Sequence, residues 1–283
     1  MTVNRVRVGR SRSTAAAPAA VAACAVAVAL ALVVTGCGQS SPTAAAALPQ
    51  PGQTYTLMQM NLCLSGLAGC YAKVRYPAGI DEAVARIRRE RPDAVTINEA
   101  CGGDLATIAR RTGYHLRFSS VIYHGKLLPC IRPRGRGLFG DAVLTRAGIA
   151  GADSRPFRAQ AGPEQRQWLC VRTRTVVEVC TAHLASHEPV EASANAPQCA
   201  ELRAMLARRA ARGTVIFGGD LNRLPSCAPH GFWTLTDASA RQDPGSQQVY
   251  GNGALRSPSA RVDPATHTDH DVLVVRAQLT RQR

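Results

Sequence analysis

Glu99 and Asp269, together with the side-chain amides of Asn61 and Asn222, offer a set of oxygen donors. Such a set suits a hard cation such as Mg2+, with Mn2+ or Ca2+ as alternatives, and needs neither cysteine nor a histidine pair. His183 and His270 add imidazoles that can donate to a phosphoryl oxygen or exchange a proton near neutral pH. Asp220 can orient or deprotonate a water. A metal to polarise phosphate, a carboxylate for the water and imidazoles for developing charge are what phosphoester hydrolysis requires. Two rival motifs fail on detail. His183-Leu184-Ala185-Ser186-His187 has the histidine spacing of a zinc peptidase but lacks its glutamate, and His267 to Asp271 is an isolated His/Asp cluster of the kind usually found in solvated loops. Neither a GxSxG nor a Walker sequence occurs, so a serine hydrolase or nucleotide kinase would lack its recognisable parts.

These residues sit at the ends of apolar runs. Candidate strands are 56–61, 94–98, 142–145, 168–173, 176–181, 214–217 and 272–275, and candidate helices are 80–90, 104–112 and 198–212. Ile80, Val84 and Ile87 form a helical stripe that Pro92 ends before the next strand. Asn61 closes one strand, Glu99 another, and His183 follows a third. Asp220 and Asn222 follow 214–217 across Gly218-Gly219, and Asp269-His270 precede 272–275. Polar groups repeatedly placed at strand ends imply a shared cleft at one rim of the sheet. Asp220 and Asn222 are two apart, so an extended segment would point both the same way. Each residue alone is as well explained as a turn cap; the joint arrangement is not. The mixture of βα units and hairpins predicts an α/β domain with mixed or antiparallel sheets, without an internal repeat.

The chain has 283 residues, a formal charge of +15, 46% hydrophobic residues and a mean hydropathy of −0.08, a balance that excludes intrinsic disorder. Arg5, Arg7, Arg10 and Arg12 precede an Ala/Val/Leu-rich stretch from Ala15 to Val34, followed by Val34-Thr35-Gly36-Cys37. This pattern reads as an export signal over 1–36, with Cys37 as the lipidated residue of a bacterial lipoprotein. An uncleaved anchor or plain secretion are the alternatives, and all three place the body outside the cytoplasm, anchored on the outer side of the cell membrane or secreted. Residues 37–53, rich in Ala and Pro, read as a tether, and 54–283 as one large domain, expected to be a monomer. Removing residues 1–36 takes away four arginines and no acid, so the mature charge is +11. A basic body seeks polyanions, whether nucleic acid, anionic headgroups or phosphorylated small molecules; the alternative is merely a solvated Arg-rich surface.

Cys24 falls in the signal and Cys37 is the lipid site. Cys63, Cys70, Cys101, Cys130, Cys170, Cys180, Cys199 and Cys227 remain, an even number that implies up to four disulfides in an exported domain. Cys170 and Cys180 lie symmetrically about Thr175 in what reads as one hairpin, so they can face each other. Cys199 with Cys227 is a further pair, which leaves Cys63, Cys70, Cys101 and Cys130 to pair among themselves. No CxxC spacing supports zinc.

Taken in order, the motifs resemble the endonuclease/exonuclease/phosphatase family, whose fold is that of deoxyribonuclease I. Met60-Asn61-Leu62 resembles its first strand end, and Ile97-Asn98-Glu99 the segment that carries a metal-binding glutamate. Gly140 to Arg146 resembles its Gly-Asn-Ala-hydrophobic-Leu-Ser-Arg strand, and Thr181-Ala182-His183-Leu184 its Thr-His-Leu element with one inserted Ala. Gly219-Asp220-Leu221-Asn222 is similar to Gly-Asp-Phe-Asn, and Thr268-Asp269-His270 to Ser-Asp-His. The resemblance covers about 56–279. It implies a four-layer α/β sandwich, two packed mixed β-sheets flanked by helices, with a metal cleft at one rim and in-line attack of water on a phosphoester. By position it implies Glu99 on the metal with Asn61 and Asp269 nearby, Asp220 aligning the nucleophile, Asn222 positioning it or the phosphate, and His183 and His270 on the phosphoryl oxygens. Two positions depart from the family pattern. The usual Ile-Asp-Tyr strand, whose Asp orients the catalytic histidine, has Gln248-Val249-Tyr250 as its nearest match, with Asp237, Asp243 or Asp263 as substitutes. Asp141 stands where Asn is usual and adds negative charge near the cleft. The leading functional expectation is an exported nuclease. The second is a phosphodiesterase or phosphatase on lipid headgroups or inositol phosphates, and the third a catalytically weak surface binding protein.

Overall fold

The computed structural model describes residues 50–175 and 177–280. The signal segment 1–36, Cys37 and the tether as far as residue 49 lie outside the described residues. In chain order the first elements are β1 (Thr54–Asn61), α1 (Tyr71–Val74), α2 (Ala78–Glu90), β2 (Ala94–Cys101) and α3 (Gly102–Thr112). There follow β3 (His115–Ser120), β4 (Ile122–Tyr123), β5 (Lys126–Leu127), β6 (Phe139–Thr145), β7 (Ile149–Pro156), β8 (Glu164–Gln165), β9 (Gln167–Thr173) and β10 (Val177–Ala182). The last are α4 (Ala192–Ala210), β11 (Thr214–Asp220), β12 (Trp233–Thr236), β13 (Gln247–Gly251), β14 (Leu255–Asp263) and β15 (Val272–Leu279). Among the described residues no helix is long and apolar enough to cross a membrane.

Two six-stranded mixed sheets carry the fold, ordered β14-β15-β1-β2-β6-β3 and β12-β13-β11-β10-β9-β7. The pairs β1/β2 and β10/β11 are parallel, each joined by a helical crossover, while the other pairs in these two sheets are antiparallel. Strand alternation assigns the layers. In β1, Leu57 faces Val171, Val179, Ile216 and Val249 of the other sheet, while Met58 and Met60 face outward onto Ile80, Val84 and Ile87 of α2. Leu202, Met205 and Leu206 of α4 cover Val215 and Phe217 on the outside of the second sheet. The result is the expected four-layer sandwich.

Helix ends follow from local chemistry. The last turn of α2 carries Arg88 and Arg89 against the carbonyl end of the dipole, and Arg91 caps it in the left-handed region before Pro92. Gly113, at φ +77°, closes α3 by donating to the Ala109 carbonyl. The third helix differs from its expected bounds. α4 begins at Ala192 rather than Gln198, with Pro197 accommodated inside it, and it stops at Ala210 rather than Arg212.

Disulfides join Cys63–Cys70, Cys101–Cys130, Cys170–Cys180 and Cys199–Cys227. Cys170 and Cys180 are direct partners across β9 and β10, with Cα atoms 4.0 Å apart.

Candidate active site

The ends of β1, β2, β10 and β11 and the loop before β15 meet at one rim. Gly218 lets the sheets approach there, since a Cβ on it would meet Thr96 Oγ1 at 2.5 Å. Beneath the rim, Asn98 ties the sheets together. Its Oδ1 accepts from Gln59 Nε2 (2.8 Å) and from the Asp220 amide (2.9 Å), and its Nδ2 donates to Asp141 Oδ1 (2.9 Å).

Glu99 reaches the cleft only because β2 bulges. Alternation sends Val95 and Ile97 toward α2 and α3, and Glu99 would follow them. The register against β6 slips between Ile97 and Ala100, and Glu99 takes φ +56°, which re-aims its side chain. Asn61 Nδ2 then donates to Glu99 Oε1 (2.7 Å) and to Asp220 Oδ2 (3.0 Å), bridging two carboxylates from different sheets. The Asn61 Oδ1 accepts from the Cys63 amide (3.1 Å), so it is the nitrogen that faces the acids. Asp220 and Asn222 are not in one extended segment. The strand ends at Asp220, Asn222 lies at φ +48°, and its amide turns back onto Asp220 Oδ1 (3.1 Å) because asparagine tolerates the left-handed region and a carboxylate can cap the turn.

His270 Nε2 lies 3.6 Å from Asp220 Oδ2, and His183 Nε2 lies 3.9 Å from Glu99 Oε1 and 3.0 Å from the Asn222 amide nitrogen. Asp269 stands at the edge, where its carboxylate and the sulfurs of Cys63 and Cys70 fall within 4.8 Å of one another. Those sulfurs are tied in a disulfide and are no thiolate ligands. Among the described residues no hydrogen bond or ion pair joins Asp269 to Asn61 or Glu99, and its visible effect is electrostatic, on His270. The structure thus gathers Asn61, Glu99, His183, Asp220, Asn222 and His270 tightly, with Asp269 beside them.

Electrostatics divides the titratable groups. Burial pushes Glu99 up to about 7, against the pull of the Asn61 hydrogen bond and His270 and with the push of Asp220. Burial likewise pushes Asp141 up to about 7, against its Asn98 hydrogen bond. Burial works against Asp220 too, but the neighbouring imidazoles and the Asn61 and Asn222 hydrogen bonds outweigh it and hold that carboxyl low. For His270 burial is outweighed by the carboxylates of Asp220, Asp269 and Glu99, so its pKa is raised. Burial and the Arg166 charge push His183 down to about 3. A buried Glu99 that resists ionisation beside the ionised Asp220 is what a hard divalent cation relieves, so these carboxylates fit one, whereas Asn61 turns its nitrogen to them and offers no oxygen there.

Among the described residues no hydrogen bond joins Gln248, Asp237, Asp243 or Asp263 to His270, although the Asp243 charge helps to raise the pKa of that imidazole. Gln248 turns away from the cleft, its Nε2 donating to the Arg223 carbonyl (2.7 Å) and the Gly245 carbonyl (3.1 Å). Asp237 is fully buried, but Gln247 Nε2 (3.1 Å) and the Gly245 amide (2.8 Å) take its oxygens, and Asp263 is paired with Arg261 at the surface. Among the described residues His270 Nδ1 is left buried without a hydrogen-bond partner.

Three contributors were not singled out from the sequence. Asn98 was read only as part of a strand end. Arg166, buried between Glu164 (2.8 Å) and Glu191 (3.0 Å), donates from Nη1 to His183 Nδ1 (2.9 Å). Gln247 fills the inner face of β13. The only sequence signal for Arg166 was a charged residue just before an apolar strand.

The sequence pattern described as the Endonuclease/Exonuclease/phosphatase family matches residues 67–278, more than half of the chain. No curated protein sequence matches. Among solved structures, the human Nocturnin catalytic domain with bound sulfate anion is similar at a TM-score of 0.61 and 15% identity, covering 81% of this chain and 94% of that one. The endonuclease/exonuclease/phosphatase from Beutenbergia cavernae gives 0.60 and 19%, covering 81% and 72%. TDP2 from D. rerio complexed with single strand DNA product gives 0.54 and 12%, covering 80% and 99%. The chain belongs to the endonuclease/exonuclease/phosphatase family, and it is a phosphoesterase.

Proposed function

We propose that this phosphoesterase is an exported, divalent-metal-dependent nuclease. The observation that carries the reading is Asn61 bridging Glu99 and Asp220 in a cleft walled by two buried imidazoles, on a body of strongly positive charge. The DNA product held by the similar D. rerio TDP2 supports nucleic acid as substrate, and four disulfides support export. Lipidation at Cys37 would keep the enzyme on the outer side of the membrane.

Glu99 would hold the cation, with Asn61 and Asp269 beside it, and when bound the metal would polarise a phosphoryl oxygen and offset its charge. Asp220, kept ionised, orients a water and draws its proton. His270, its pKa raised by the surrounding acids, donates from Nε2 to the charge that develops on phosphorus oxygens. His183 works differently. Arg166 can only donate, so Nδ1 of His183 accepts and Nε2 carries the hydrogen. That N–H faces the Asn222 amide nitrogen at 3.0 Å, donor against donor. An anionic oxygen set before them accepts from both, so the mismatch becomes a cradle for a phosphoryl oxygen.

The test uses purified residues 38–283 on plasmid and single-stranded DNA with Mg2+ or Mn2+. Degradation that stops on chelation is expected. Cleavage of sphingomyelin or inositol phosphates with DNA untouched would refute the nuclease.

A further inference from the structure

Residues 62–77 and 121–140 contain no Asp or Glu but six Lys or Arg. They fold into one knob beside the catalytic rim. The Ile131 amide donates to the Ser65 carbonyl (3.0 Å), Tyr71 Oη donates to the Arg132 carbonyl, and Gly66 packs on Arg132. Cys63–Cys70 closes the first segment, and Cys101–Cys130 ties the second to the end of β2. Arg136 is internal to the knob. It is buried, paired with Asp104 at 2.6 Å, bonded to the Leu64 carbonyl (2.7 Å) and stacked 4.8 Å over Tyr76.

Four other cations have no such partner. Lys73, Arg75, Arg132 and Arg134 are exposed, and among the described residues none forms an ion pair; Lys73 touches only the Gln242 amide oxygen. The knob is continuous with the catalytic residues. The Cys63 amide holds Asn61 Oδ1, and the Leu64 amide donates to the Glu99 carbonyl (2.8 Å). A cavity of about 250 Å3 is lined by Lys73 of the knob and by Arg241, Gln242, Thr268 and Asp269, the last beside the catalytic residues.

We propose that this stapled knob docks the phosphate backbone of a nucleic acid strand, which reaches the catalytic residues through the cavity between Lys73 and Asp269. The inference rests on the nuclease reading and adds to it the surface that holds the substrate. Unpaired cations on a rigid support gain more from a phosphate backbone than cations already neutralised by neighbouring acids, and they read no base sequence. A lipid surface would also attract the charge, but a flat bilayer cannot follow a concave path to Asp269, whereas a strand can.

The experiment compares the wild type with Lys73→Gln/Arg75→Gln/Arg132→Gln/Arg134→Gln. Binding of a labelled 20-nucleotide single strand is followed by anisotropy in chelator across a salt series, and cleavage of DNA and of bis(p-nitrophenyl) phosphate is measured with Mn2+. The variant is expected to flatten the slope of log K against log salt by about 3. It should also raise KM for DNA about tenfold or more, with turnover of the small diester unchanged. These side chains are exposed, so a thermal melt should match the wild type. DNA cleavage whose KM and salt slope ignore the four substitutions would overturn the docking surface alone. A wild type that hydrolyses the small diester and neither binds nor cuts DNA would instead overturn the nuclease reading.

Discussion

Two concave regions of this molecule have opposite chemistry. Between the outer faces of β7, β9 and β10 and the end of α4 lies a cavity of about 610 Å3, lined in part by Asp153, Arg172, Glu178, Arg209 and Arg212. Its central cation is already satisfied: Arg209 pairs with Asp153 at 2.8 Å, meets Glu178, and stacks 5.0 Å over Trp168. The catalytic rim has more unmet demand. There Glu99 and Asn222 sit at positive φ, His270 Nδ1 has no partner among the described residues, and the His183 ring nitrogen and the Asn222 amide nitrogen face each other. Buried polar groups held in arrangements that a ligand completes mark the working site.

The largest effect should separate these regions by substitution. Glu99→Gln and Asp220→Asn keep size and remove charge, and each should lower kcat/KM on DNA by about a thousandfold or more, as losses of electrostatic stabilisation in closed sites do. Glu178→Gln at the far cavity should leave turnover within about twofold and change stability by about 1 kcal/mol or less, because Asp153 still holds Arg209. Steady-state kinetics and a urea melt on the three variants decide the matter; equal losses at both regions would erase the contrast.

Legibility followed the same division. Asn61, Glu99, His183, Asp220, Asn222, Asp269 and His270 could be read as one set because each flanks an apolar run, and the strand ends of two packed sheets share a rim. The layers could be read because Leu57, Met58 and Met60 alternate as a two-sided strand must. What stayed hidden depends on contacts between distant residues. The bulge that turns Glu99 inward has no signature in Ile97-Asn98-Glu99-Ala100, since it arises from pairing with β6. Asn98 as a link between sheets requires Asp141 and Asp220 to be near it, from 43 and 122 positions away. β7 and β14 are mostly exposed, so neither shows an apolar run. The basic knob was scattered over two segments that only their mutual packing reveals as one surface.

A smaller effect tests how the rim is held. Arg166 touches His183 and fixes which ring nitrogen carries the hydrogen, so it acts as a positioning residue. Arg166→Lys retains the charge between Glu164 and Glu191 but loses the planar fork that reaches Nδ1 as well. It should lower kcat roughly 10- to 100-fold with KM nearly unchanged, and the imidazole's hydrogen should become free to move between its nitrogens, visible as altered 15N shifts of His183. Unchanged shifts with lowered kcat would assign Arg166 a purely structural part.

The smallest effect concerns acid burial at the rim without any substrate. Burial pushes Asp237 up to about 6, with Asp220 adding to the rise and hydrogen bonds from Gln247 and Gly245 opposing it. An unfolded aspartate titrates near about 3.9, so between these values the folded protein holds the proton more tightly than the unfolded chain does. The stability this contributes is complete below the unfolded value and is lost as pH rises through about 6, at up to roughly 1.4 kcal/mol per pH unit. Asp237→Asn cannot ionise. Whatever it does to absolute stability through its contact with Gln247, it should flatten the fall in unfolding free energy between pH 4 and 6, measured by urea titration at three pH values. If wild type and variant decline in parallel, burial is not holding a proton on this acid, and the electrostatic half of the contrast between the two regions fails while the kinetic half stands.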